Sequence, residues 1–386
     1  MLTPEEIDGF VTALSSVDEE RSSRYPGDRL ANQPVHTCYV PAGQFRPDIV
    51  AHWGNTALAT LRANPIEATD TIRARVERKL RTQPIEDLRI DFEDGYGTPD
   101  DDTEDADALR AARALPDTPY VGLRVKSFDT AALRRRSIRT LDLFLTTIAD
   151  RVPPGLLITF PKVTDVRQVE VFVTLLERLE TRLGLLAGTL VFEIQVETPQ
   201  AIVDSVGRLA LPGFIAAGQG RVRGLHFGTY DYTAGLGLPS ASQHLAHDAC
   251  DFARHVMQVS AAGTGVWCSD GSTNILPVGD PDTVRAGWRG HAALVRRSLD
   301  HGFYQGWDLH PNQLVSRYAT VYRFYRDGVA AAVARLNDYL ERRSGTVADE
   351  PATARMLASF LLRALRCGAI DDTELPLRQD RLAELL

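Results

Sequence analysis

Two acidic residues stand where a metal ion could use them. Glu197 ends the apolar run LVFEIQVE (190–197), and Asp231 follows RGLHFG (223–228) in FGTYD. Two carboxylates that leave the remaining positions to water and substrate suit Mg²⁺ or Mn²⁺, hard cations that prefer oxygen and retain water. The competing use of the pair is to cap helices, one of them opened by Thr198-Pro199. Arg124 lies inside another apolar run, YVGLRVK (120–126). A guanidinium there is costly unless a carboxylate or phosphate answers it. Glu93 and Asp94, in RIDFEDGYG, are candidates for that answer, and the glycines after them fit a tight loop. Lysine occurs three times among 43 basic residues, and Lys126 and Lys162 both end β-rich runs. Lys126 shares a face with Arg124 only if the strand keeps its period of two that far. Lys162, in FPKV, is the stronger candidate for an anion contact. His310, in WDLHPNQ, precedes a proline at a helix start and could act as acid or base or hydrogen-bond a substrate. Gathered at one mouth, these groups must be paired or metal-bound, which is the pattern of a catalytic site for an anionic substrate.

The elements that would gather them are regular. β-rich runs fall at 35–41, 87–93, 120–126, 156–162, 190–197, 223–228, 264–270 and 305–310. Between them, apolar residues recur at steps of three and four over 133–148, 165–183 and 284–299, which predicts amphipathic helices. Asp282 is positioned to cap the last of these. Strand–helix alternation predicts a parallel sheet with helices outside. Eight units without a GxGxxG after the first strand predict an α/β fold closed as a (β/α)8 TIM barrel, whose site lies at the C-terminal strand ends. Residues 1–34 are expected to form an N-terminal arm and 35–325 the catalytic barrel. Residues 326–386 are expected to form a C-terminal helical extension, acting as a lid or subunit contact.

Composition narrows the classes further. The chain has 386 residues, 44% hydrophobic and 24% charged, with a net charge of −8. That is globular composition, and it argues against a nucleic-acid partner, which needs a basic face. Cys38, Cys250, Cys268 and Cys367 are far apart and form no CxxC, as in a cytoplasmic protein with reduced thiols. The start MLTPEEIDGF lacks a signal-peptide pattern, and no apolar run reaches the ~18 residues of a membrane span. A cytoplasmic protein without a membrane partner is expected.

The strand-end motifs, taken in order, resemble those of the citrate lyase β-subunit-like (HpcH/HpaI aldolase) family of the phosphoenolpyruvate/pyruvate barrel superfamily. CYVPA (38–42) is similar to that family's FVPG, DFED (91–94) to its DLED, and LRVK (123–126) to its VRVN. FPKVT (160–164) is similar to LPKVE, VET (196–198) to IET, FGTYDYTAGLG (227–237) to FGxxDLxxxLG, and LHP (309–311) to IHP. The resemblance implies Mg²⁺ held by Glu197 and Asp231, with Arg124 binding the substrate carboxylate and the forming enolate oxygen. It implies a divalent-metal-dependent carbon–carbon lyase acting on a 2-keto acid or acyl-CoA-type carboxylate. It also implies a homo-oligomer, expected as a trimer or hexamer. Glu93, Lys126 and Lys162 are expected to contact substrate. The base is left open among Asp94, His310 and a metal-bound water. Two departures stand out: Tyr230 replaces a frequent Glu, and Lys126 replaces Asn. The alternatives are a Schiff-base aldolase using Lys162 or Lys126, and a non-catalytic metabolite-binding barrel.

Overall fold

Each β-rich run becomes a strand. A computed structural model describes residues 1–29, 31–341 and 350–386. The strands are β1 His36–Pro41, β2 Asp87–Asp91, β3 Tyr120–Arg124, β4 Leu156–Phe160, β5 Phe192–Val196, β6 Val222–Phe227, β7 Trp267–Ser269 and β8 Gly306–Asp308. They pair in parallel in the order β7-β6-β5-β4-β3-β2-β1-β8. The ring closes between the two short strands, where Ser269 bridges Gln305 and the Asp270 amide donates to the Gln305 carbonyl at 2.8 Å. The expected (β/α)8 barrel is the architecture observed.

Period-two alternation sorts the strand residues into two environments. On β2, Leu88 and Ile90 are buried in the helix layer, whereas Arg89 reaches across the barrel interior to Glu193 on β5. On β5, Phe192, Ile194 and Val196 join the apolar core. Phe172, from helix Val166–Leu183, stacks on Phe160 of β4 with ring centroids 4.3 Å apart and meets Phe192 edge-on. Such pairs add about 0.5–1.5 kcal/mol beyond area burial. The main core is therefore the shell between strands and helices, and the barrel interior is left to polar side chains.

The helices begin where polar caps allow. Thr130 caps Ala131–Ile148, and Asp165 with Gln168 forms a capping box on Val166–Leu183. The helix before β8 spans Pro281–Asp300 and is capped by Asp280, which accepts from the Thr283 amide. Asp282, the expected cap, falls in the first turn because Pro281 takes the opening position. The eighth helix of the barrel is Gln313–Leu340, a single helix that runs through residue 325. The expected boundary between barrel and extension thus lies inside one element. Helix Pro351–Arg366 packs Phe360 against Phe324 and Tyr325 of that helix. Its Arg363 donates to Gln33, just ahead of β1. Within the chain the extension therefore sits at the strands' N-terminal end, and none of its described residues lines the cavity at the mouth.

The N-terminal arm forms two helices, Pro4–Ala13 and Ser15–Arg24, with no buried residue in either. Behind them the chain is fastened by the Gly27 amide to the Gly263 carbonyl at 2.8 Å and by Arg29 Nε to the Gly265 carbonyl at 2.7 Å. No described helix is long and apolar enough to cross a membrane.

Candidate active site

The C-terminal strand ends enclose a cavity of about 330 Å³, lined by Tyr39, Asp91, Asp94, Arg124, Gln195, Glu197, Tyr230, Asp231 and Trp307 among others. Glu197 continues the inward series Glu193, Gln195 of β5. It needs the glycine beside it: a Cβ on Gly228 would lie 2.4 Å from Glu197 Cβ and 2.6 Å from its Oε2. Asp231 arrives from the first turn of the short helix Thr229–Gly235 that follows β6. Both candidate ligands face the same cavity.

Lys162 joins them. Its φ of 51° is left-handed, a conformation that costs a non-glycine residue roughly 1–2 kcal/mol. That turn aims the Lys162 amide at Glu197 Oε1, 2.8 Å away. It also brings Nζ to Glu93 at 3.0 Å, Asp94 at 3.1 Å and Asp231 at 3.1 Å. Strained backbone that holds a site together in this way is a mark of functional geometry.

Arg124 is fixed by a carboxylate the motifs did not single out. Its Nε and Nη2 donate to the two oxygens of Asp91, each at 2.7 Å. Asp91 also accepts from the Glu93 amide at 2.9 Å and the Gly95 amide at 3.0 Å, so it shapes the loop as well. Glu93, an expected partner, lies 3.3 Å from Nη1, and Asp94, the other, 3.9 Å. Nη1 also donates to Gln195 Oε1 at 3.3 Å, and Gln195 in turn donates to Glu197. The guanidinium lies 5.0 Å over the Tyr39 ring.

Charge at this mouth is out of balance. Asp91, Glu93, Asp94, Glu197 and Asp231 face two cations, Arg124 and Lys162. Burial pushes the Glu197 carboxyl up to about 8; Lys162 offsets part of this, while Glu93 and Asp231 add to it. Burial likewise takes Glu93 to about 7 against Arg124 and Lys162. At Asp94 burial is overridden by Lys162 and Arg124, and its carboxyl stays below the ordinary range. Burial works to lower the Lys162 ammonium, but Glu197, Glu93, Asp94 and Asp231 together raise it. An oxygen-only acid set with surplus negative charge, buried at Asp91, Glu93 and Glu197 and open to solvent at Asp94 and Asp231, fits a hard divalent cation that keeps some of its water.

Two expected residues are not brought in. β3 stops at Arg124, so the alternation that would turn Lys126 inward is lost. Its Nζ donates to the carbonyls of Phe92 and Gly97, both at 2.8 Å, and thereby pins the loop after β2. His310 has the parity of Asp308, and Leu309 takes the place beside Trp307 in the lining. The His310 Nδ1 accepts from the Asn312 amide at 3.1 Å, a local turn contact, and burial lowers its basicity. Asp270 is also structural, held by Arg254 Nε at 2.9 Å and Ser298 Oγ at 2.6 Å. Among the described residues, His36, Cys38 and Asp308 are the one trio of His, Cys, Asp or Glu whose ligand atoms all lie within 4.8 Å of one another. They lie behind the strands, where Arg317 already holds Asp308 at 3.0 Å, which disfavours a further cation.

The sequence motifs passed over Asp91, Gln195, Tyr39 and Trp307. A signal was present. DLRID and FEIQV alternate polar with apolar, and one parity of each had to face the barrel interior.

The chain is a closed parallel barrel with an acid-rich mouth at its C-terminal strand ends, and the comparisons with known proteins are consistent with the citrate lyase-like barrels. The chain belongs to the family described as "Domain of unknown function (DUF6986)", whose model matches residues 14–384. It is 25% identical over 247 residues to the L-malyl-CoA/beta-methylmalyl-CoA lyase of Cereibacter sphaeroides, covering 61% of this chain and 71% of that one. In fold it is similar to a citrate lyase of Burkholderia xenovorans LB400, with a TM-score of 0.61 and 20% identity over 92% of this chain and 97% of that one. It is also similar to the protein CitE of Mycobacterium tuberculosis, solved with magnesium, acetoacetate and coenzyme A, with a TM-score of 0.51 and 20% identity over 88% of this chain and 99% of that one. These likenesses bear out the resemblance drawn from the motifs and support a carbon–carbon lyase.

Proposed function

We propose that this protein is a divalent-metal-dependent carbon–carbon lyase that acts on a 2-keto acid or an acyl-CoA-type carboxylate through an enolate. The observation that carries the reading is the surplus of acid at the mouth, with Glu197 buried, beside a single oriented guanidinium. Glu197 and Asp231 would hold Mg²⁺ or Mn²⁺, which when bound polarises the substrate carbonyl as a Lewis acid. Magnesium in the CitE structure supports that choice of ion.

The chain's own groups then have distinct tasks. Asp91 occupies Nε and Nη2 of Arg124 and locks its plane. Nη1, whose contacts to Gln195 and Glu93 are both long at 3.3 Å, would turn to the substrate carboxylate and the oxygen on which charge develops as the carbon–carbon bond breaks. Asp94 is held ionised by Lys162 and stands at the cavity, so it accepts the substrate hydroxyl proton. Glu93 and Lys162 position Asp94 and the two candidate ligands. His310 is absent from the cavity lining and accepts from the Asn312 amide instead.

The Schiff-base alternative needs a neutral lysine. Lys162 is instead held charged by four carboxylates, and Lys126 is bound to two carbonyls away from the cavity.

The test is direct. Purified protein is incubated with malyl-CoA, the substrate class of the Cereibacter relative, and with a panel of hydroxylated 2-keto acids. Cleavage products are followed by chromatography with Mg²⁺ or with EDTA. Turnover that EDTA abolishes supports the reading. Turnover that survives EDTA and is trapped by borohydride restores the lysine mechanism. Binding without turnover across the panel makes this a metabolite-binding barrel.

A further inference from the structure

Two features away from the mouth are incomplete in a single chain. The first is the N-terminal arm. Ile7, Phe10 and Val11 lie at helical spacing on the first helix, Leu14 caps it and Val17 follows on the second, and all five are 49–66% exposed. The first helix also carries Glu5, Glu6 and Asp8 and no basic residue. Helices this short are marginal in water unless a surface covers their apolar face. Every residue from 1 to 26 is exposed, so the arm's own barrel does not provide that surface.

The second feature is a cleft of about 320 Å³ between helices Pro281–Asp300 and Gln313–Leu340. Its apolar lining includes Trp288 and the small residues Ala292 and Ala319, which let another helix approach closely. Its charged lining is Arg285, Arg289, Arg296 and Arg323 with Glu67, of which Arg285 is answered by Asp282 and Arg296 by Asp300. Among the described residues Arg289 has no carboxylate partner.

We propose that the first helix of a second copy of this chain seats its apolar face in this cleft and sets its acids against the arginine rim. Apolar stripe meets apolar floor, and a helix with only acidic charge meets a rim that is mostly arginine. Two-fold exchange of arms closes a dimer, and head-to-tail insertion closes a ring; both need a second copy. The inference is independent of the chemistry at the mouth.

Light scattering and sedimentation of the full chain test it. The wild type is expected to run as a multiple of 42.5 kDa. Phe10→Asp and Arg289→Glu change exposed side chains and should leave the melting curve intact. Each should raise the dissociation midpoint by at least about tenfold, as loss of an anchor at an interface does. A double variant, Phe10→Cys with Ala292→Cys, should oxidise to a covalent band at a multiple of the chain mass. A monomeric wild type overturns the proposal. So does an assembly that both charge variants leave unchanged, or a crosslink that stays within one chain.

Discussion

The barrel interior holds two charged regions built from the same strands, and they behave in opposite ways. Deep in the barrel, Arg89 donates to Glu193 at 2.8 and 3.0 Å and to Asp87, and Glu193 also meets His226 at 3.1 Å and accepts from Thr159 at 2.5 Å. Burial alone would raise the Glu193 carboxyl, but Arg89 and His226 hold it well below the ordinary range. Four residues on, just past the end of β5, Glu197 is pushed up to about 8. One carboxylate has its counter-charge built in, and the other waits for one. Identical residue types thus make a structural plug at one level and the proposed binding site at the next. The deciding quantity is the local balance of charge, not polarity or burial.

The largest effect should come from unbalancing the deep layer. Arg89→Met leaves Asp87 and Glu193 buried without their guanidinium and should cost about 3–5 kcal/mol in urea unfolding. An unchanged midpoint would mean the layer is not a plug. Next in size, Glu197→Gln should spare the fold, since it removes surplus charge. It should lower turnover by more than about 100-fold, because even residues one step behind a metal ligand cost about 10–100-fold. Full activity in this variant would remove Glu197 from the site.

A pH experiment sharpens the contrast. Glu93 and Glu197 have folded values of about 7 and 8, above the usual carboxylate range, so the folded state holds their protons more tightly than the unfolded state. Their contribution to stability is full below that usual range and is lost as pH rises towards 8. Added Mg²⁺ should therefore raise the melting temperature more at pH 8.5 than at pH 6, by differential scanning fluorimetry. An equal shift at both pH values would deny the ion its place beside these groups. Glu193 has the opposite sign, and its stabilisation disappears as acid takes the protein below the carboxylate range. The smallest effect belongs to His310. A lost general base costs about 10²–10⁴-fold, whereas His310→Gln should change turnover by no more than about threefold.

Much of this arrangement was legible in the sequence. All eight strands could be placed from β-rich runs because a barrel repeats one local pattern, and six of the mouth residues could be placed from strand ends. Parity was harder to see. Lys126 and His310 stand at strand ends, yet one strand stops early and the other turns its odd residue inward, which terminal position alone does not reveal. Asp91 escaped because it ends β2 as part of DFED, where the two acids after it drew attention. The span of helix Gln313–Leu340 across residue 325 depends on tertiary packing by Tyr318, Tyr322 and Tyr325, which a local boundary estimate does not include.

Lys162 sets terms for anything positive that approaches the mouth. Its ammonium is tethered among Glu93, Asp94 and Asp231, so it is present there at an effective concentration no free salt can match. Sodium or potassium brings the same single charge without the tether and has no advantage over it. A doubly charged ion at the proposed site would, and the leash on one lysine would then act as a filter on valence.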